Sequence, residues 1–237
     1  MRILDDIPFA IDPEVVFASL SLDPRGQYAG EVHALIASAR QLARPRALYR
    51  AAVVCDKEPD AIVIAAAAGD STRARFESRA LRVNLDEVGV VFPYVTTCGS
   101  ELDSIPIAAG DIFAQFCRDT IKEMALWAAQ AHLYEHLMET YELHALASMN
   151  PGSGELNVWP IEQQRELFAF LGDVRGSIGV VLTDSCLMVP NKSVSGILYS
   201  SQDGFENCQL CRREPCENRR APFDPGLWTR TFGAGGG

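Results

Sequence analysis

The chain contains no run of eighteen or more apolar residues free of charge, so no segment reads as a membrane-crossing helix. It also lacks a basic start followed by an apolar middle: Met1-Arg2-Ile3-Leu4-Asp5-Asp6 is not the opening of a secretory signal. A cytoplasmic location is therefore expected. Positive charge is scarce. Lys and Arg total 21 against 31 Asp and Glu, a formal net charge of −10, which argues against a nucleic-acid partner. The acidity suits a cationic ligand or a basic protein surface, and equally suits plain solubility. An odd count of seven cysteines without a secretory start argues against a disulfide framework. No internal repeat is present, and no linker splits the 237 residues cleanly.

Periodicity supplies the rest. Asp12-Pro13-Glu14 is a good helix opening, and Val32, Leu35, Ile36, Ala39 and Leu42 recur at helical spacing up to Pro45. From residue 47 the period changes. Leu48–Val54 and Ala61–Ile64 read as strands around a charged turn, Arg75–Ser78 as a short strand, and Gly89–Thr97 as a stronger one. Pro93 predicts an edge or a bulge for that last strand. Residues 108–147 form the longest helical segment, uninterrupted by Pro or Gly after Gly110. Met149-Asn150-Pro151-Gly152-Ser153-Gly154 is a loop, and Pro160 opens a short helix. Residues from Asp203 onward read as polar loop, ending in the flexible tail Gly233-Ala234-Gly235-Gly236-Gly237. The expected organisation is one domain over 1–203 and a cysteine-rich segment with its tail over 204–237.

The stretch Ile178 to Gly196 carries most information. A β-branched run, a turn and a second run with small hydroxyl residues suit two paired strands that bring backbone close to a ligand. The pattern Leu182-Thr183-x-Ser185, then Met188-x-Pro190, then Ser193-Val194-Ser195-Gly196 resembles the reactivation domain of cobalamin-dependent methionine synthase. Val91–Gly99, the helix from Asp111 through Tyr141, Asn150-Pro151-Gly152-Ser153-Gly154 and Pro160–Phe168 follow in that family's order.

The resemblance implies an α+β fold, a twisted, mainly antiparallel sheet with packed helices. It implies S-adenosylmethionine as ligand, cobalamin held by a partner methionine synthase module or other corrinoid protein, and a flavodoxin-type or ferredoxin-type electron donor. By motif position, the backbone of Asn150 and Gly152, with Ser153, would contact the ligand. Ser193 and Ser195 would lie on the adjoining strand, and Glu135 would supply an acid from the long helix. The chain departs from the family where an Arg precedes the Pro-Gly loop, here Ser148, and where a Tyr follows it, here Ser153. Ile197-Leu198 replaces an aromatic pair. A Ser cannot reproduce the two-pronged grip of a guanidinium on a carboxylate. The implied function is a stand-alone reactivation-type partner that supports reductive methylation of cob(II)alamin. The alternative is a metal-binding corrinoid-protein accessory, or a thiol (homocysteine) methyltransferase component, that no longer binds the adenosyl ligand.

Cys208, Cys211 and Cys216 stand in a C-x2-C-x4-C pattern, spacing that lets sulfurs face one metal. Zinc and an iron–sulfur cluster both fit these ligands, with Cys98, Cys186 or an exogenous thiol as a fourth. Arg212, Arg213, Arg219 and Arg220 nearby favour thiolates. Three ordinary loop cysteines are the bland reading. His132 and His136 share one helix face and read as half a metal site or as polar-face residues. Glu101 and Asp103 read as caps or as contacts to a cation. Trp127, Trp159 and Trp228 read as packing residues.

Overall fold

The computed structural model describes residues 1–67, 70–155, 158–201, 204–217 and 219–233. β1 (Arg2–Leu4) precedes α1 (Pro13–Ser19) and α2 (Ala29–Leu42). β2 (Arg46–Tyr49), β3 (Ala52–Lys57), β4 (Ala61–Ala66) and β5 (Arg73–Glu77) follow. α3 (Arg79–Asn84) leads into β6 (Val90–Thr97), and α4 (Ile112–Thr140) into β7 (Leu146–Met149). Then come α5 (Gln164–Leu171), α6 (Val174–Ile178), β8 (Val181–Leu182), β9 (Met188–Val189), β10 (Ser193–Ser200) and α7 (Pro225–Phe232). The architecture is the expected α+β one.

Eight strands form one antiparallel sheet with β6 at its centre. β10 pairs along its whole length, from Ser193 opposite Thr97 to Tyr199 opposite Val91. On the other side β2 covers the second half of β6 and β3 the first, with Ala52 opposite Val91. β7 closes the far edge on β10. Pro93 therefore sits in a central strand, against the edge or bulge its sequence predicts. Its carbonyl accepts the Arg50 N–H at 3.0 Å, where β2 hands over to β3. In an antiparallel ladder a residue's N–H and C=O face the same neighbour, so the missing donor falls at that break.

The two faces bury different sets. Ile62, Phe76, Val91, Val95, Trp159, Phe170 and Ile197 pack on the side covered by α3, α5 and α6. Tyr49, Phe92, Tyr94 and Leu198 pack on the other against Ala129, Leu133 and Leu137 of α4. Each such large side chain, fully buried, contributes about 1.5–3 kcal/mol. Alternation along β10 divides Ser193, Ser195, Ile197 and Tyr199 from Val194, Gly196 and Leu198.

Several boundaries differ from the sequence reading. α4 starts with Asp111 capping the Ala114 N–H at 2.9 Å. It stops at Thr140, where Glu142 turns left-handed (φ 53°), and Leu146–Met149 joins the sheet instead of prolonging the helix. Pairing with β10 overrides the helix propensity of Ala145, Leu146 and Ala147. The strands at 178–183 and 193–200 do not pair with each other. β8 pairs with β9 in a separate hairpin, and β10 pairs with β6 and β7. The segment after residue 203 is not simple loop: Leu210 is fully buried in the α5-side core and α7 packs against it. The boundary expected after Asp203 and the tail after Gly233 lie outside the described residues. Among the described residues no helix is long and apolar enough to cross a membrane.

Candidate functional site

The Pro-Gly loop leaves β7 at the edge of the sheet, and a polar network sits beside it on the α4 face. Gly196 of β10 lies opposite Tyr94 of β6. With no side chain at Gly196, Asn150 fills the space above it and donates from Nδ2 to the Tyr94 hydroxyl and to the Ser195 carbonyl, each at 2.9 Å. The Ser148 hydroxyl bonds the Tyr94 hydroxyl at 3.1 Å and donates to Asn150 Oδ1 at 3.2 Å. Tyr134, from α4, packs on the same core beside Tyr94 and Ser148. Burial pushes both phenols well above their ordinary range, so they stay protonated and serve as neutral hydrogen-bonding groups.

The loop itself is held from inside. Gly152 is left-handed (φ 77°), and a Cβ there would lie 3.0 Å from Ile161. Its N–H donates to the Trp159 carbonyl at 2.8 Å, and the Ser153 N–H donates to the Asn150 carbonyl at 3.1 Å. Those groups, singled out as ligand contacts in the sequence, are engaged within the loop. Gly152 itself is exposed and Ser153 half-exposed.

Other expected site residues are placed elsewhere. Ser195 turns its hydroxyl to the opposite face, where it donates to Gln164 Oε1 at 2.8 Å. The Ser193 hydroxyl donates to the Pro190 carbonyl at 2.8 Å and is hydrogen-bonded to the Thr97 hydroxyl at 2.9 Å. Only the Ser195 carbonyl touches the Asn150 network. Glu135 is exposed on α4, while its neighbour Tyr134 turns inward to the network. Asn207, which the sequence did not flag, donates from Nδ2 to Asn150 Oδ1 at 3.0 Å and to the Ser148 carbonyl at 3.2 Å.

Asn207 belongs to the cysteine segment, which covers the β7 edge. Arg212 donates from its backbone N–H and Nε to Glu155 Oε1 at 2.9 and 3.1 Å, and from Nη2 to Oε2 at 3.3 Å. That guanidinium also lies 4.2 Å from the Trp228 ring centroid. The Arg212 hydrogen bonds hold the Glu155 carboxyl below the usual range. Arg219 donates to the carbonyls of Cys208, Cys211, Arg213 and Ala221. Arg220 donates its backbone N–H to Cys208 Sγ at 3.4 Å. Cys208, Cys211 and Cys216 are half-exposed free thiols, whereas Cys98 and Cys186 are buried. Among the described residues no group of three or more His, Cys, Asp or Glu side chains is arranged to hold a metal.

The remaining sequence candidates lie outside the Asn150 network. His136 bonds the Tyr49 hydroxyl at 3.0 Å. Glu101 pairs with Arg46, and Asp103 accepts from the buried Lys122 at 2.7 Å. Trp159 is buried, and Trp127 is exposed on α4. A trough of about 750 Å³ lies at the other end of β10, lined by residues including Val83, Asn84, Glu87, Tyr141 and Tyr199. None of the expected site residues lines it.

No family model matches the chain, and no curated protein matches it. Among solved structures, the crystal structure of the MetH reactivation domain bound to AdoHcy is similar in fold. Its TM-score is 0.57 at 16% identity, covering 86% of this chain and 79% of that one.

Proposed function

We propose that this chain is a reactivation-type partner of a corrinoid protein, with S-adenosylmethionine as the methyl source. The observation that carries the reading is the packing of Asn150 against Gly196, which locks the Pro-Gly loop onto the central strands of a fold shared with an AdoHcy-bound reactivation domain. The loop's exposed outer surface, at Gly152 and Ser153, is the adenosyl seat. With the Gly152 N–H engaged inside the loop, its contact to a ligand falls on the carbonyl, a group suited to a sulfonium cation. The two protonated phenols keep the wall beneath it neutral. The ligand supplies a methyl group activated by positive sulfur, and the corrin comes from the partner. This chain's residues bind, orient and exclude water.

The test is spectroscopic. A methionine synthase cobalamin module lacking its own reactivation domain is held as cob(II)alamin with a flavodoxin-type or ferredoxin-type reductant. Conversion to methylcobalamin that needs both this chain and S-adenosylmethionine supports the reading. Conversion at the same rate without the chain overturns it.

A second reading concerns the cysteine segment. Arg219 fixes the Cys208 and Cys211 carbonyls, and a backbone N–H already points at Cys208 Sγ, as in loops that surround thiolate-bound metal. Zinc or an iron–sulfur cluster on these thiols would make the chain a metal-bearing accessory. Elemental analysis of anaerobically purified protein, with and without Cys208→Ala, tests it.

A further inference from the structure

We propose that Glu206 and Arg220 form a receptor for the α-amino-acid end of the ligand, its carboxylate meeting Arg220 and its ammonium meeting Glu206. The proposal rests on the adenosyl-ligand reading above and names the residues that recognise the ligand's charged end. That end is a zwitterion, and it needs one cation and one anion side by side. The Asn150 network offers neither, since Ser148, Asn150, Tyr94, Tyr134 and Asn207 are all neutral.

The cysteine segment brings the pair to that network. Asn207, only 3% exposed, is tied to Asn150 and Ser148, and Glu206 is the next residue. Arg220 is anchored by its backbone N–H on Cys208 Sγ, one residue beyond Asn207. Its Nε stands 3.4 Å from Glu206 Oε2, with the two side chains 64% and 41% exposed. A charge-assisted hydrogen bond is normally about 2.7–2.9 Å, so this pair is loose, while Glu206 is positioned by the capping box it forms with Gln209. Exposed pairs of this kind contribute little to stability, and exchanging partners with a zwitterion costs little. Two of the three neighbouring arginines are occupied, Arg212 by Glu155 and Trp228 and Arg219 by four carbonyls, and the third, Arg213, is exposed. The charges of Arg220 and Glu206 also reach the Tyr134 phenol, acting on it in opposite directions beneath the larger effect of burial. One buried acceptor here, Asn207 Oδ1, has no donor among the described residues.

Calorimetry with two probes separates the outcomes: AdoHcy, and methylthioadenosine, which keeps the adenosyl thioether but lacks the amino-acid end. The expected result is that Arg220→Ala weakens AdoHcy about tenfold or more and leaves methylthioadenosine unchanged. Arg220→Lys recovers part of the loss, Glu206→Gln weakens AdoHcy alone, and Arg213→Ala changes neither. Circular dichroism confirms that each variant is folded. The proposal is overturned if Arg220→Ala binds AdoHcy as the parent does, or loses both probes equally. If the parent binds neither probe, the adenosyl-ligand reading fails first and this proposal with it.

Discussion

Gly196 and Asn150 share one space: a Cβ built on Gly196 would stand 2.5 Å from Asn150 Nδ2 and closer still to the Met149 carbonyl. Neither neighbour has room to retreat. Met149 is paired in the sheet opposite Ile197, and Asn150 is held by four hydrogen-bonding partners. Gly196→Ala therefore overpacks the site. It is expected to cost about 1–3 kcal/mol in urea unfolding and to displace the Pro-Gly loop, with loss of AdoHcy binding by calorimetry.

Asn150→Ala removes the donor to the Tyr94 hydroxyl and the Ser195 carbonyl together. The expected destabilisation is about 1–3 kcal/mol, the cost of leaving buried acceptors unpaired. Asn150→Asp is expected to be worse, because it sets a carboxylate against the Ser195 carbonyl. Equilibrium unfolding of both variants checks the order.

The Arg212–Glu155 clamp is expected to open in acid. Arg212 hydrogen bonds hold the Glu155 carboxyl below its ordinary value. A depressed carboxylate stabilises above its unfolded pKa, and the contribution disappears as pH falls through the folded value. Protection of the Arg212 amide, followed by hydrogen exchange, is expected to hold at neutral pH and to vanish below the usual carboxylate range. In Glu155→Gln that pH dependence is expected to be absent.

Thiol accessibility should divide the seven cysteines. Burial pushes the Cys98 and Cys117 thiols up to about 11, so both are expected to resist a disulfide reagent at pH 8 in the native state. The buried Cys186 joins them, while Cys55, Cys208, Cys211 and Cys216 react fast. If the cysteine segment takes zinc, adding zinc removes the last three from the fast class and leaves Cys55.

Much of this fold is legible in the sequence because burial imprints a pattern. The near-continuous apolar run Val90–Val95 marks the central strand, buried on both faces, and helical spacing of apolar residues marks α4. The site was less legible for geometric reasons. One residue along a helix is a turn of about 100°, which is why Tyr134 faces the network and Glu135 faces solvent. One residue along a strand reverses the face, so the Ser195 hydroxyl points away while Gly196 opens the space. Asn207 carries no local signal, and Arg220 reads only as a neighbour of the cysteines, since the return of the chain to Ser148 and Asn150 is what brings this segment to the network.

Amide chemical shifts during an AdoHcy titration locate the adenosyl seat. The predicted result is saturable shifts at Gly152, Ser153 and Ser195, with Gly89 and Ser201 unmoved. Saturable shifts confined to Gly89 and Ser201, at the trough beyond the other end of β10, or no shifts at saturating ligand, would contradict it.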